Sequence, residues 1–191
     1  GQSIIVVNKP GAQGAVASDY VARQPADGYT LMLGYIGTHG INPALQKLNY
    51  DPVKDFTPIG RGADSPTIMV VSSSLGVKDV AGLVKYGKDH PDSLTFASAG
   101  AGTAPAVAGQ LFNEATGANM LDIPYKGSAP ALTDTLSGTT QVMFPSLFSV
   151  YPHLKSGMIQ ALAVAGPTRS AALPDLPTLA EAGVPGVVVP Q

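Results

Sequence analysis

The 191-residue sequence contains no cysteine, which excludes disulfides, zinc–thiolate sites and thiol nucleophiles. Charged residues are also scarce, at 13%, and lysine and arginine form no block anywhere in the chain. The net charge is −2. Because neutralising phosphates requires clustered cations, we expect no nucleic-acid partner. The sequence also lacks an apolar run long enough for a membrane helix and shows no signal peptide.

The chain is 45% hydrophobic, and its length suits one large domain or two small lobes. A chain of this length buries about 70% of its unfolded surface. Both ends fall in strand-like sequence, because residues 4–7 are IIVV and residues 187–191 are VVVPQ. We therefore expect the chain to be a fragment of a larger fold.

Short apolar runs alternate with helix-like stretches, which is the pattern of βαβ units with a parallel sheet. Strands are predicted over residues 4–7, 29–33, 67–71, 94–96, 120–123, 141–144, 159–164 and 187–191. Helices are predicted over residues 15–23, from 42, over 80–88 with Asp79 as N-cap, from 104, over 128–136 and over about 147–156. The predicted fold class is α/β.

Right-handed crossovers place the loops that follow such strands on one edge of a sheet, where α/β proteins bind their ligands. These loops span residues 8–14, 34–40, 98–103, 124–128 and 145–148. Because two loops precede residue 71 and three follow it, we predict two lobes that face each other across a cleft. The first lobe would span residues 1–71 and resume at about 187–191, and the second would span residues 72–186.

The loop over residues 98–103 (SAGAGT) consists only of small residues and leads into a helix with Pro105 in its first turn. Such a loop leaves several N–H donors free at the positive end of the helix dipole, which suits a carboxylate or a phosphate. A tight strand-to-helix turn without a ligand would have a similar composition. The residues alone leave both interpretations open.

Motifs along the whole chain resemble one family of transport proteins. In chain order they are residues 6–14 (VVNKPGAQG), 25–31 (PADGYTL), 37–43 (GTHGINP), 50–56 (YDPVKDF), 98–103 (SAGAGT), 124–132 (PYKGSAPAL), 173–178 (LPDLPT) and 181–183 (EAG). Together they resemble the tripartite tricarboxylate transporter receptors, also called Bug-type periplasmic solute-binding proteins. The resemblance implies a periplasmic, two-lobed Venus-flytrap protein that delivers a small carboxylate to a membrane permease and catalyses no reaction.

In such receptors, backbone amides and hydroxyls of loops from both lobes bind the carboxylate groups. By position, the contacts of the first lobe would come from Gly34, Tyr35, Gly37, Thr38 and His39. Those of the second lobe would come from Ser98, Ala99, Gly100, Gly102 and Thr103. Lys126, Pro145 and Ser146 complete the predicted set.

Several of these residues have an alternative role. His39 could donate to a carboxylate or bond only to nearby backbone. Tyr35 is predicted to be a wall against the ligand, a ring that stacks on an aromatic ligand, or a surface residue. Lys126 could neutralise a bound anion or remain solvated. Pro145 and Ser146 stand where many family members have an acidic or amide pair, which makes an amino-acid ligand less suited to this chain.

The chain departs from the family pattern at both ends. It lacks the N-terminal strand with its Pro/Gly-rich loop, which supplies a carboxylate contact in the family, and the C-terminal segment that returns to the first lobe. The resemblance therefore implies that the first lobe is incomplete and that part of the site is missing or lies on residues outside this sequence. Many members also have a histidine where this chain has Ala106.

Two other hypotheses stay open at the level of sequence. One is an α/β enzyme that uses the same anion-binding loops, although no P-loop and no G-x-S-x-G elbow occurs. The other is a fragment without a functional site. The histidines, His39, His90 and His153, have no metal-ligand spacing, so neither a metal nor a cofactor is expected. We expect the protein to be a monomer.

Overall fold

A computed structural model describes residues 1–189, and Pro190 and Gln191 lie outside the described part of the chain. The helices are α1 (Ala15–Ala22), α2 (Asn42–Leu45), α3 (Val80–Asp89), α4 (Ala104–Thr116), α5 (Ser128–Ser137) and α6 (Leu147–Leu154). The strands are β1 (Ile68–Ser72), β2 (Thr95–Ser98), β3 (Leu121–Pro124), β4 (Val142–Met143) and β5 (Ile159–Val164). None of the helices within residues 1–189 is both long and apolar enough to cross a bilayer.

The five strands form one sheet in the order β3-β2-β4-β1-β5. β2 pairs in parallel with β3 and β4, whereas β1 is antiparallel to both β4 and β5. The predicted α/β class is confirmed, but the expectation of a wholly parallel sheet is wrong for β1. The connection from β1 through α3 leads to β2. Because these two strands run in opposite directions, the handedness rule for parallel crossovers does not apply to it.

Helices cover the sheet on both faces, and each face has its own apolar core. One core contains Phe96 of β2, Phe112 of α4 and Phe144 next to β4, together with residues of α3. The other core packs α5 and α6 against the opposite face. All five residues of β1 are buried because this strand lies inside the sheet.

The helices and strands after residue 66 follow the prediction closely. Asp79 caps α3 as expected, since its Oδ1 accepts a hydrogen bond from the Gly82 amide at 2.7 Å. Pro105 lies in the first turn of α4, where its missing N–H costs nothing. Gly117 and Gly138 end α4 and α5 with positive φ values of 68° and 85°, which glycine adopts most easily.

The two strands predicted near the N-terminus, residues 4–7 and 29–33, are not formed. Both segments are irregular, and Ile5, Tyr29 and Leu33 are 86%, 92% and 90% exposed. A strand requires a hydrogen-bonding partner, and no strand within residues 1–189 lies beside either segment. The two segments are apolar, as a strand often is, but apolar composition alone does not provide the neighbouring strand that pairing requires.

The predicted loop over residues 34–40 is also partly wrong. Gly37–Ile41 forms a π-helical turn that continues directly into α2, so the second half of this segment is helical. Such turns often occur at functional sites. The short helix predicted from residue 42 is confirmed, and it ends well before Pro52.

The C-terminal strand predicted over residues 187–191 is not formed in its described part. Residues 187–189 are irregular but well anchored, because Val187 and Val189 are buried. The Val189 amide donates to the Ala165 carbonyl at 3.0 Å, and the Thr67 hydroxyl donates to the Val189 carbonyl at 2.6 Å. The end of the described chain therefore lies against the residue that precedes β1.

Candidate anion-binding site

The loop between β2 and α4 partly satisfies its own amides. The Gly100 amide donates to the Ser98 hydroxyl at 3.0 Å, and the Thr103 amide donates to the Gly100 carbonyl at 3.2 Å. The Thr103 hydroxyl donates to the same carbonyl at 2.6 Å. These three bonds fold the loop into a compact turn in front of α4.

Three further amides of this turn are not used by hydrogen bonds within the described part of the chain. Within residues 1–189, the backbone amides of Ala99, Ala101 and Gly102 have no hydrogen-bond partner. They lie just before the N-terminus of α4, a helix of 13 residues, where unpaired N–H groups and the helix dipole favour an anion. The turn can therefore bind an oxyanion through its backbone without a cationic side chain.

Glycine is required at two positions of the turn. Gly100 and Gly102 have φ values of +99° and +82°, which strain any residue with a Cβ atom. Both also contact side chains of the N-terminal segment. A Cβ on Gly100 would lie 2.8 Å from Nε2 of Gln13, and a Cβ on Gly102 would lie 2.1 Å from Oδ1 of Asn42.

Gln13 and Asn42 connect the predicted loops to one another. The Gln13 carbonyl accepts hydrogen bonds from Nδ2 of Asn42 at 3.2 Å and from the Tyr35 hydroxyl at 3.4 Å. Residues 13, 35 and 42 thus form one polar cluster against the turn at Gly100 and Gly102. The structure therefore brings members of both predicted groups of contact residues to the same place.

Sequence reasoning missed Gln13 and Asn42 as site residues. Gln13 lies in the loop over residues 8–14, which the prediction placed at the ligand edge without selecting a side chain. Asn42 precedes Pro43 and was interpreted only as the start of a helix. Its amide side chain, next to the predicted contact loop, was the one signal that pointed to a further role.

Thr38 is buried, and its hydroxyl is already engaged. Its Oγ1 donates to the Tyr35 carbonyl at 3.1 Å, accepts from the Tyr35 amide at 3.3 Å and lies 2.8 Å from Nδ1 of His39. The Tyr50 hydroxyl donates to the Thr38 carbonyl at 2.7 Å. The side chain therefore holds the π-helical turn together. The amides of Ile36 to Thr38 come before His39, whose amide is the first of the turn to donate to a backbone carbonyl.

His39 packs into an aromatic group. Its ring lies edge-on to Phe56 at 4.9 Å and tilted towards Tyr50 at 6.4 Å. Partial burial lowers the pKa of His39 below its usual value, so the ring is neutral at pH 7. A Cβ on Gly34 would lie 2.9 Å from this ring, which shows how closely Gly34 and His39 pack.

Tyr35 stands at the edge of the cluster. Its ring is about one-third exposed, and a Cβ on Gly37 would lie 2.3 Å from it. Partial burial raises the pKa of the Tyr35 phenol, with the nearby Tyr50 as a second cause. The phenol is therefore protonated at neutral pH and donates its hydrogen bond to Gln13.

Lys126, Pro145 and Ser146 lie apart from this cluster in their contacts. Lys126 is exposed between β3 and α5 and forms no ion pair within the described residues. The Pro145 carbonyl accepts from the Ile68 amide at 2.9 Å, and the Ser146 hydroxyl donates to that of Ser149 at 3.2 Å. Pro145 and Ser146 therefore join β4 to β1, at the N-terminus of α6.

Asp122 lies in β3, which pairs with β2, the strand directly before the turn. Burial raises the pKa of the Asp122 carboxyl, and the Ser98 hydroxyl lowers it by a smaller amount. Its Oδ1 is buried and has no hydrogen-bond partner in the described part of the chain. The Asp122 carboxyl is therefore easier to protonate than that of an exposed aspartate.

Two surface hollows lie outside the set of predicted contact residues, and the first is lined in part by Tyr50. One, of about 530 Å³, is formed by residues 43–55, and the other, of about 510 Å³, lies between α3, the end of α4 and residues 182–184. Neither is lined by a predicted contact residue. Residues 1–189 contain no group of three His, Asp or Glu side chains placed to hold a metal ion.

The family described as "Tripartite tricarboxylate transporter family receptor" matches residues 1–191. The chain belongs to this family. It is 34% identical over 190 residues to the UPF0065 protein in the tcbD-tcbE intergenic region of Pseudomonas sp. strain P51, covering 99% of this chain and 56% of that protein. It is 33% identical to BugT of Bordetella pertussis over 191 residues, covering 98% and 58%. The chain thus spans a little over half the length of these relatives.

Solved structures of related proteins have the same fold as this chain. A Rhodopseudomonas palustris protein with adipate has a TM-score of 0.93 at 37% identity, with 99% of this chain and 64% of that chain covered. MatC from Rhodopseudomonas palustris with bound malate has a TM-score of 0.86 at 34% identity, with coverage of 94% and 62%. The periplasmic binding protein BugD has a TM-score of 0.90 at 36% identity, with coverage of 97% and 62%.

Proposed function

We propose that this chain acts in a periplasmic receptor that captures a small carboxylate for a membrane permease of the tripartite tricarboxylate type. The observation that carries the proposal is the set of free amides at Ala99, Ala101 and Gly102 before α4. They provide directed N–H donors to a carboxylate, and the chain supplies no cationic cluster that would do so instead. The adipate and malate in the two related structures support a carboxylate as the ligand class.

In this proposal the ligand lies between the turn before α4 and the N-terminal segment. Ser98, Gly100 and Thr103 hold the turn in shape, and its free amides bind one carboxylate group. The opposite side of the ligand is contacted by residues of the π-helical turn and the segment before it, namely Gly34, Tyr35, Gly37, Thr38 and His39. Lys126, which is exposed, contributes long-range attraction to the anion, and Pro145 and Ser146 remain predicted contacts.

We infer two lobes, residues 1–71 with a return at about 187–191 and residues 72–186, that close on the ligand by rotation. The side-by-side position of Thr67 and Val189, joined by the 2.6 Å hydrogen bond, supports this arrangement. The two segments that connect the lobes would then lie side by side. A hinge of this kind needs only a few residues to change their dihedral angles.

The permease partner, the periplasmic location and a monomeric state belong to the same proposal. The family description supports the permease, and the relation to the periplasmic binding protein BugD supports the location. The family and the structural neighbours are solute-binding proteins rather than enzymes, so we propose no catalytic step. Sedimentation velocity tests the monomer, and a second sedimenting species at micromolar concentration would contradict it.

Titration with a panel of carboxylic acids tests the function. The panel contains acetate, succinate, malate, adipate, citrate and benzoate, each paired with its neutral methyl ester as control. An acid at 100 times its dissociation constant should stabilise the chain by about 2.7 kcal/mol, whereas its ester should not. The acid must be recovered unchanged, as measured by NMR. Failure of every acid to stabilise the chain, or conversion of one of them, would overturn the proposal.

A further inference from the structure

Asn42 has a buried acceptor without a donor. The residue is 0% exposed, and its Nδ2 donates to the Gln13 carbonyl at 3.2 Å. Its Oδ1 has no hydrogen-bond partner among the described residues. The orientation of the amide is fixed, because exchanging the two atoms would place Oδ1 against the Gln13 carbonyl, another acceptor. Native proteins rarely leave such an atom unpaired, so its partner has to be explained.

The unpaired oxygen points at the anion-binding turn. A Cβ on Gly102 would lie 2.1 Å from Oδ1, so the oxygen packs directly against the α-carbon of Gly102. Gly102 also carries one of the free amides, and Ala101 carries another. A carboxylate bound to those amides would therefore have Oδ1 of Asn42 as a close neighbour, on the side of the N-terminal segment.

We propose that Asn42 determines specificity by accepting a hydrogen bond from a hydroxyl group of the ligand. The preferred ligands are then hydroxy-substituted carboxylates rather than unsubstituted ones. The inference rests on the proposed function and adds the substrate class. In the proposed receptor, Asn42 and Gly102 belong to different lobes, so opening of the lobes exposes Oδ1 to the entering ligand.

A hydroxyl group fits this acceptor better than an ammonium group does. Oδ1 is neutral, whereas a buried ammonium requires an anion to compensate for its lost hydration. The one hydrogen-bond partner of the Asn42 side chain among the described residues is the Gln13 carbonyl, which carries no charge. A hydroxyl needs only one acceptor for its proton, and Oδ1 supplies it.

The test uses three acids of nearly equal size that differ in one substituent: succinate, malate and aspartate. Isothermal titration of the full 191-residue chain should give a dissociation constant for malate, in one of its enantiomers, about tenfold or more below that for succinate. Aspartate should bind no better than succinate. Glutarate and 2-hydroxyglutarate form a second pair that repeats the comparison in a longer acid.

Two variants test whether Asn42 causes the preference for malate over succinate. Asn42→Leu removes Oδ1 at similar volume and should bring the malate-to-succinate ratio to about one. Asn49→Leu makes the same change at an exposed asparagine on the same segment and should leave the ratio unchanged. Circular dichroism confirms that each variant is folded. Should Asn42→Leu not fold, the ratios of the unmodified chain still decide the question.

The outcomes separate this inference from the proposed function. If malate and succinate bind equally, or if aspartate binds more tightly than malate, the specificity inference is wrong while the receptor function stands. A malate preference that survives in Asn42→Leu overturns the assignment to Asn42. If none of the acids binds, the proposed function fails, and the inference that rests on it fails too.

Discussion

Asn42 and Gly102 are packed so closely that a methyl group on Gly102 would lie 2.1 Å from Oδ1 of the asparagine. Next to this contact, Gln13 covers Gly100 in the same way, with Nε2 at 2.8 Å from the Cβ position. The two glycines therefore do more than allow a tight turn. They let two amide side chains of the N-terminal segment reach the backbone that is proposed to bind the anion.

Gly102→Ala should weaken both the turn and its contact with Asn42. The positive φ of +82° costs alanine about 1 kcal/mol, and the methyl group adds the clash. We expect a lower melting temperature and at least tenfold weaker binding of the preferred acid. Gly60→Ala is the control, because nothing lies within 4 Å of its Cβ position and its φ is not in the positive range. Equal behaviour of the two variants in a thermal melt would contradict the prediction.

Thr103→Val should destabilise the chain by about 1 kcal/mol. The variant keeps the shape of the side chain but removes the buried hydroxyl that donates to the Gly100 carbonyl at 2.6 Å. Thr133→Val removes a comparable 3.1 Å bond on the exposed face of α5, where water replaces it, and should cost less than 0.5 kcal/mol. Urea unfolding measures both, and a loss at Thr133 as large as that at Thr103 would show that burial of the bond is unimportant.

Gly109→Ala should destabilise the chain although alanine favours helices. The added methyl would lie 2.3 Å from the Phe96 ring in the core between α4 and the sheet. Overpacking of this kind costs about 1–3 kcal/mol. The double variant with Phe96→Leu should lose less than the sum of the two single changes, because the smaller side chain makes room. Strict additivity in denaturant unfolding would contradict the proposed contact.

The contribution of Asp122 to stability should fall as pH rises from the acidic range towards neutrality. Its pKa in the folded state is raised above the unfolded value, so the folded chain binds the proton more tightly. This favourable term is present below the unfolded pKa and is lost as pH rises through the folded pKa. Asp122→Asn should therefore be more stable than the unmodified chain at pH 7, with a smaller difference at pH 3.5. Urea unfolding at the two pH values tests this, and a constant difference would contradict it.

The exposed apolar residues of the N-terminal segment should tolerate charge in this chain. Leu33 is 90% exposed, so Leu33→Asp should change the free energy of unfolding by less than about 0.5 kcal/mol. Leu83→Asp makes the same change at a fully buried site of α3 and should prevent folding or cost several kcal/mol. Comparable losses at the two sites would show that residue 33 is buried in solution.

Elements whose signals lie within their own segment were predicted more accurately than elements that depend on distant residues. Helices α3 to α6 were predicted closely because their caps, turns and apolar periodicity lie within each segment, as at Asp79 and Pro105. The strands over residues 4–7 and 29–33 were predicted from equally apolar sequence, yet they do not form, because a strand also depends on a partner elsewhere. The direction of β1 was wrong for the same reason.

In the candidate site, too, local features were predicted and features that depend on distant contacts were not. The turn over residues 98–103 was found because small residues before a helix are a local signal. Gln13 and Asn42 were missed because their importance arises from contacts between distant positions, such as the bond between them and their approach to Gly100 and Gly102. The roles of the remaining predicted contact residues stay predictions until a ligand is bound.

The position of β1 inside the sheet has a consequence for biosynthesis. This strand consists of IMVVS and pairs with β4 and β5, whose residues Met143 and Val164 are made much later. While the chain emerges, β1 must therefore wait with both edges open, and slow non-local pairing of this kind invites intermolecular association. A holdase that shields this apolar stretch until Val164 has emerged would raise the yield of native protein.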